Sequence, residues 1–304
     1  MANIPTELRN EFRTLFEMQW GFLQSNWPSI TQVKRHRTET KDVHDISHVK
    51  EILVRRLGYI AVFFFLVVLF GTRDYSGPYH NVEKGLLILY QLVTGSSIAE
   101  MGQFIPKSSF YDVYKDFYIH QYADLDKKIT SMLECMFSSP KIRIHSAHCS
   151  NPTMFKHVTM MIDGHDTQAS YPLANRAALY SYKLKRSGFR TQVCIDVNGM
   201  ILFVSSSAPC RDNNDGTMLT RMHIEKKVHH ADCIALDGGY TLFVDKVIEN
   251  NDLSHANFCY PIRKQRGVEL TPKEIEYNKT FGSFRSRIEA TFGEIGSTFE
   301  WFNN

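Results

Sequence analysis

No Cys-x-x-Cys pair occurs among the six cysteines, Cys135, Cys149, Cys194, Cys210, Cys233 and Cys259. Scattered thiols in a chain of 304 residues read as reduced and intracellular, not as a disulfide framework. The opening MANIPTELRNEF lacks a basic stretch followed by an apolar run, so no secretory signal is read there. Internal repeats and low-complexity tracts are missing as well. Charge of one sign is scarce. The formal net charge is +3 and the pI near 8.4, too mild to mark a nucleic-acid binder, so any DNA contact must come from local clusters of Lys and Arg. The longest apolar run, LGYIAVFFFLVVLFG at residues 57–71, is flanked by Arg55, Arg56 and Arg73. It falls short of the roughly 18 to 20 residues that span a bilayer, and a buried core helix is expected in place of a membrane anchor. His145-Ser-Ala-His148-Cys149 offers zinc donors, but no second ligand pair stands at finger spacing, so a zinc site is not expected.

What is present suits a folded chain. Hydrophobic residues make up 43% and charged residues 22%, enough for a sizeable core. Three regions are read. Residues 1–50 are polar, with a basic string Lys34-Arg35-His36-Arg37 that reads as a solvated surface or a weak DNA or nuclear-address signal. Residues 51–150 read as helical. Leu86, Leu89, Tyr90 and Val93 recur at helical spacing. Thr94-Gly95-Ser96-Ser97 should stop that helix and cap a short second one, and Pro106-Lys107-Ser108-Ser109 should turn into a third over 110–118 whose caps are the serines. The pattern over about 82–118 is that of a helix-turn-helix, although FYDVYKDFY offers Lys115 as its sole cation. Residues 155–304 change character. Strands are expected at 157–162, ending at Asp163-Gly164, then at 189–195 and, after the turn Asp196-Val-Asn198-Gly199, at 200–205. A helix over 216–228 and a fourth strand at 231–236, ending at Asp237, follow. A later helix holds Glu289.

Three strands, a helix and a fourth strand resemble the opening topology of RNase H-like nucleases. In such a mixed sheet with flanking helices the first and fourth strands are neighbours. Asp163 and Asp237 at their ends would then lie side by side, and Glu289 could close the group. Three converging carboxylates repel one another unless cations lie between them. Mg²⁺ suits that role through its preference for oxygen ligands.

Several blocks, in order and at similar spacing, resemble the Harbinger-type DDE endonuclease family over roughly residues 82–295. They are Met160-Met-Ile-Asp-Gly164, Ser181-Tyr-Lys-Leu-Lys185, Asp196-Val-Asn-Gly199, Ala208-Pro-Cys-Arg-Asp-Asn-Asn-Asp215, Leu236-Asp-Gly-Gly-Tyr240 and Arg285-Ser-Arg-Ile-Glu-Ala-Thr-Phe-Gly293. The block at Thr94-Gly-Ser-Ser97 is similar to the helix-turn-helix preceding the nuclease in that family. The resemblance implies a cut-and-paste transposase that hydrolyses and transfers DNA strands with two Mg²⁺ (or Mn²⁺) ions. Its implied metal-binding and catalytic triad is Asp163, Asp237 and Glu289. Asp215 stands where the family has a further acid, and two readings stay open: a helix N-cap or a metal ligand. Strand topology favours Asp237 as the second triad member. Phosphate contacts are expected from Lys183, Lys185 and Arg186, from Arg263, Lys264 and Arg266, and from Arg285 and Arg287, against the alternative of a solvated charged face. Arg190 belongs to the first cluster in sequence, and Tyr240 is expected to pack on the sheet. The implied partners are double-stranded DNA at the element ends, an accessory DNA-binding protein and a second copy of the chain, with no membrane. The implied location is the nucleus in a eukaryote, and otherwise the cell interior. The family pattern continues past the glutamate helix, whereas this chain stops at Asn304. A truncated C-terminus and one bare face of the sheet are therefore expected. The alternative is a decayed or host-adopted relative that binds DNA or a protein without cutting.

Overall fold

The computed structural model describes residues 46–70, 81–138, 140–169, 176–249, 252–264 and 266–302, besides positions 10 and 14. The basic string at 34–37 lies outside the described residues. Two compact units are formed: residues 130–295, and the described residues before 130 together with 296–302.

The helical unit contains α1 (Ile46–Leu57), α2 (Tyr59–Phe70), α3 (Asn81–Thr94), α4 (Ile98–Met101) and α5 (Lys107–Asp116). Its core gathers Leu53, Val62, Leu66, Leu86, Leu89, Val93 and Phe110. Gly95, at φ +66°, ends α3 in a conformation that a side chain would strain. Ser97 then starts α4 with a capping box: its hydroxyl accepts from Glu100 N at 3.2 Å, and Glu100 Oε2 accepts from Ser97 N at 2.6 Å. The expected serine caps of α5 are not found. That helix begins at Lys107 behind Pro106, which makes no side-chain cap bond, so Ser108 and Ser109 lie inside its first turn. Helix α2 is only half-buried, with Ile60 and Phe64 about half exposed. Among the described residues no helix is long and apolar enough to cross a membrane. The turn Glu300–Phe302 belongs to this unit, where Arg56 pairs with Glu300 at 2.9 Å and Trp301 Nε1 donates to Gln91 O at 3.4 Å.

Helix α6 (Tyr122–Ser138) leads into the second unit, followed by α7 (Pro140–Ser150). The strands are β1 (Met160–Gln168), β2 (Tyr180–Ser181), β3 (Arg186–Asp196), β4 (Ile201–Val204), β5 (Ala208–Pro209), β6 (Ile234–Ala235) and β7 (Phe258–Cys259). Helices α8 (Arg176–Leu179), α9 (Asp215–Arg221), α10 (Val244–Ile248) and α11 (Pro272–Thr298) connect and flank them. The sheet runs β2-β3-β1-β6-β7, with β4 and β5 also paired to β3. β3 is antiparallel to β1, while β6 is parallel to β1 and to β7. This curled mixed sheet is compatible with an RNase H-like fold, and the first and fourth major strands are neighbours as expected.

Strand β1 does not stop at Asp163-Gly164. Pairing with β3 continues from Met160↔Asp196 to Gln168↔Gly188 and satisfies the backbone of residues with turn propensity. The expected helix over 216–228 is also shorter. α9 ends at Arg221, and His223, left-handed at φ +48°, breaks the chain before a 3-10 turn at Ile224–Lys226. The fourth strand shrinks to Ile234–Ala235, and just ahead of it Asp232 is buried. There Arg143 grips its carboxylate through Nε at 2.8 Å and Nη2 at 2.6 Å, both side chains being buried, and Thr159 donates to it at 2.8 Å.

Alternation along β1 sends successive side chains to opposite faces. Met160 and Ile162 enter a core with Leu219, Tyr240 and Val244. Met161 enters another with Phe281, Phe284 and Ile288 of α11. Among the described residues each face of the sheet thus buries a core.

Candidate active site

The same alternation sorts the acidic residues. Asp163 follows Met161 onto the α11 face. Its Oδ2 accepts from Arg285 Nη1 at 2.8 Å, and Arg285 Nη2 reaches Glu289 Oε1 at 2.9 Å, one helical turn on. One guanidinium therefore joins the first and last members of the expected triad. Burial opposes the charge on Arg285, but the bond to Asp163 and the fields of Asp163, Asp237 and Glu289 outweigh it and hold the guanidinium more strongly protonated than usual.

Gly164 and Asp166 follow Ile162 onto the other face. Arg190 stands opposite Asp166 in the β1–β3 register. It binds Asp166 through Nε at 2.6 Å and Nη2 at 2.9 Å, and its Nη1 lies 3.2 Å from Asp215 Oδ1. Ser181 Oγ donates to Asp166 Oδ2 at 2.6 Å. Burial pushes the Asp166 carboxyl up, but Arg190 and Ser181 outweigh it and hold the group below its ordinary value. Gln192 Nε2, opposite Gly164, donates to Asp215 O at 2.7 Å and to the buried Tyr240 hydroxyl at 2.9 Å.

Asp215 is not the cap of α9. Asn214 holds that position, its Oδ1 accepting from Thr217 N at 2.9 Å. The carboxylate of Asp215 turns instead toward β1. A Cβ added at Gly164 would stand 2.7 Å from Asp215 Oδ1, so the bare glycine backbone makes the seat for this acid. Burial raises the Asp215 carboxyl above its ordinary value; Arg190 opposes this, and Asp163 and Asp166 reinforce it. The acids on the two faces thus feel one another across Gly164.

Asp237 lies just past β6 and caps the turn Gly238–Phe243, accepting from Gly238 N at 2.6 Å. The β1–β6 register pairs Met160 with Ile234 and Met161 with Ala235. Strand β6 ends at Ala235, two residues before Asp237, and the charges of Asp163 and Asp237 both act on Arg285. No group of three or more His, Cys, Asp or Glu side chains among the described residues is gathered closely enough to hold a metal ion. That includes His145 and Cys149, which approach to 3.8 Å on α7 without a third donor.

The basic residues differ in availability. Lys183, Lys185 and Arg186 are exposed around the β2–β3 turn, with Arg186 donating to Gln168 Oε1 at 2.8 Å. Arg263 binds Gly238 O, Lys264 pairs with Glu269, and both are exposed, as is Arg266. Arg287 bonds to Asn151 Oδ1 at 3.2 Å and to the carbonyls of Val197 and Ser150 at 3.3 Å. Sequence reading missed the Asp166–Arg190–Asp215 chain. Its signal was available: an acid three residues past Asp163 and an arginine inside the antiparallel partner strand.

Residues 162–304 match the family model described as DDE superfamily endonuclease. The matched range includes Asp163, Asp215, Asp237 and Glu289. No curated protein and no solved structure matches the chain.

Proposed function

We propose that the sheet-bearing unit is the nuclease of a Harbinger-type, cut-and-paste DNA transposase. The observation that supports this best is the bridge Asp163–Arg285–Glu289, which ties a central strand to the long last helix within the matched range. Asp163, Asp237 and Glu289, with Asp215 beside them, would hold Mg²⁺ or Mn²⁺. The fit rests on donor chemistry: these are hard oxygen donors, and guanidinium cations already lie against Asp163, Glu289 and Asp215. Two bound ions would supply nucleophile activation and leaving-group stabilisation in phosphodiester hydrolysis. The chain's own part is to hold these acids in place, through Arg190, Arg285 and the cap at Gly238, and to line the approach with Lys183, Lys185, Arg186, Arg263, Lys264 and Arg266 for phosphate. Double-stranded element ends, an accessory DNA-binding protein, a second copy of the chain and a nuclear location belong to the same reading. So does DNA reading by the α3–α5 helices, although the exposed face of α5 carries Tyr111, Asp112 and Lys115.

The test is cleavage of supercoiled and element-end DNA with and without Mg²⁺ or Mn²⁺. Asp163→Asn, Asp237→Asn and Glu289→Gln should each lower the rate by about a thousandfold or more, as expected when several kcal/mol of transition-state stabilisation is lost. Asp215→Asn should be comparably damaging, because Asn214 and not Asp215 caps α9. Full activity in Asp237→Asn beside an inactive Asp215→Asn would move the second place to Asp215. A folded chain that never cuts in either metal would transfer support to the non-cutting relative. That second reading draws on the absence of a gathered three-acid group among the described residues.

A further inference from the structure

An open cleft of about 540 Å³ is lined by Ala177, Tyr180, Tyr182, Arg186, Ser187 and Arg211. Tyr180 and Tyr182 flank Ser181, the first on β2 and the second in the turn after it, and Ser181 itself bonds Asp166. The rings meet edge to face, with centroids 5.2 Å apart at 90°. Tyr182 is 68% exposed, which leaves a large π-face in water. Arg186 and Arg211, both exposed, supply positive charge at the cleft, and Lys183 and Lys185 continue it along the turn. The wall is wired to the acids: Ser181 bonds Asp166, Asp166 bonds Arg190, and Arg190 pairs with Asp215.

Exposed aromatic faces bordered by cations are the two elements that bind unpaired nucleotides, the ring by stacking and the cation by phosphate attraction. We infer that this cleft seats one unpaired nucleotide of the DNA strand brought to the acidic site, its base stacked on Tyr182 and its phosphates against Arg186 and Arg211. This inference rests on the nuclease reading and adds to it a seat for a base outside the double helix. Extruding a base has an unstacking cost, and an aromatic platform that receives the base offsets it.

Binding is measured by anisotropy with the full chain in EDTA, so that no strand is cut. The probes are a blunt duplex and the same duplex carrying one bulged 2-aminopurine. The bulged duplex should bind about tenfold tighter, in line with the stacking of one base on an aromatic side chain, and its emission should be quenched. Tyr182→Ala should bring the affinity ratio to about one and remove the quench, whereas Tyr182→Phe keeps both, because stacking needs the ring and not the hydroxyl. Circular dichroism checks that the exposed site tolerates the change. A ratio near one in the unaltered chain, or a ratio and quench that survive in Tyr182→Ala, overturns the cleft while leaving the nuclease reading in place. Failure to bind either duplex overturns both. Tighter binding of the bulged probe made as RNA overturns the assignment to DNA.

Discussion

Gly164 decides where Asp215 can go. With a methyl group at this position, Asp215 Oδ1 would stand 2.7 Å from it, well inside contact distance, and the carboxylate would have to leave its seat against the Gly164 backbone. Gly164→Ala should therefore cut DNA about a hundredfold more slowly, the scale on which an ångström of misplacement is felt. Its circular dichroism should stay unchanged. Gly239→Ala is the matched control, since a Cβ there would stand an ordinary 3.8 Å from Asp215 Oδ2. Equal rates in Gly164→Ala and the unaltered chain would remove Asp215 from the site. Residue identities made the acids visible in sequence, but not this arrangement. Asn214 and Asp215 are both good caps, and only the folded turn tells which one bonds Thr217. Arg190 was legible as a cation, while its partners depend on a strand register that no local pattern encodes.

Helix α3 carries a test of a different kind. Lys84 is buried, at 4% exposure, and burial pulls its ammonium down to about 8 from 10.5, with Glu83 opposing more weakly. Between those two values the unfolded chain binds more protons than the folded one. Stability should therefore rise with pH across that window, by up to about 1.4 kcal/mol per pH unit, and be insensitive to this group below it. Buried Cys194, Cys210 and Cys233, whose thiols burial pushes up, act in the opposite sense over the same window, so the Lys84 contribution is read as the pH 8 to pH 10 change in urea midpoint of the unaltered chain minus that of Lys84→Met. A midpoint that falls equally in both proteins would exclude Lys84 as the cause. The element was readable from the spacing of Leu86, Leu89 and Val93, because a helix packed on one side writes its period into the sequence. β1 was less readable. Its second half, Asp163 to Gln168, is polar and turn-like, and it is held as strand by β3 through pairing that periodicity does not record.

Over the whole molecule the charge is nearly balanced, so DNA affinity must come from where the cations stand. Each phosphate contact should add about −0.9 to the slope of log affinity against log salt. Replacing Lys183, Lys185 and Arg186 with Gln should flatten that slope by up to three such steps, and replacing Arg263, Lys264 and Arg266 should do the same. Arg287→Gln should change it little, since that guanidinium is bonded to Asn151, Val197 and Ser150. An unchanged slope in both triple variants would return those clusters to a solvated face. At this scale the order of motifs conveyed the sheet topology, because parallel neighbours need a connecting helix and the strand sequence limits the choices. The coverage of the sheet was not conveyed. Phe281, Phe284 and Ile288 lie on a helix of low overall amphipathicity, and their role became plain only against Met161 and Ile195.

The alternation of β1 also bears on heredity. Losing or gaining a single codon between Met160 and Asp163 would move every later side chain of the strand to the opposite face. Asp163 would leave Arg285, and Asp166 would leave Arg190. A chain with that change would still carry Asp163, Asp215, Asp237 and Glu289 in order, and would lose the Asp163–Arg285 pair. Counting acidic residues in a related sequence therefore says less about its site than the spacing from Met160 to Asp166 does.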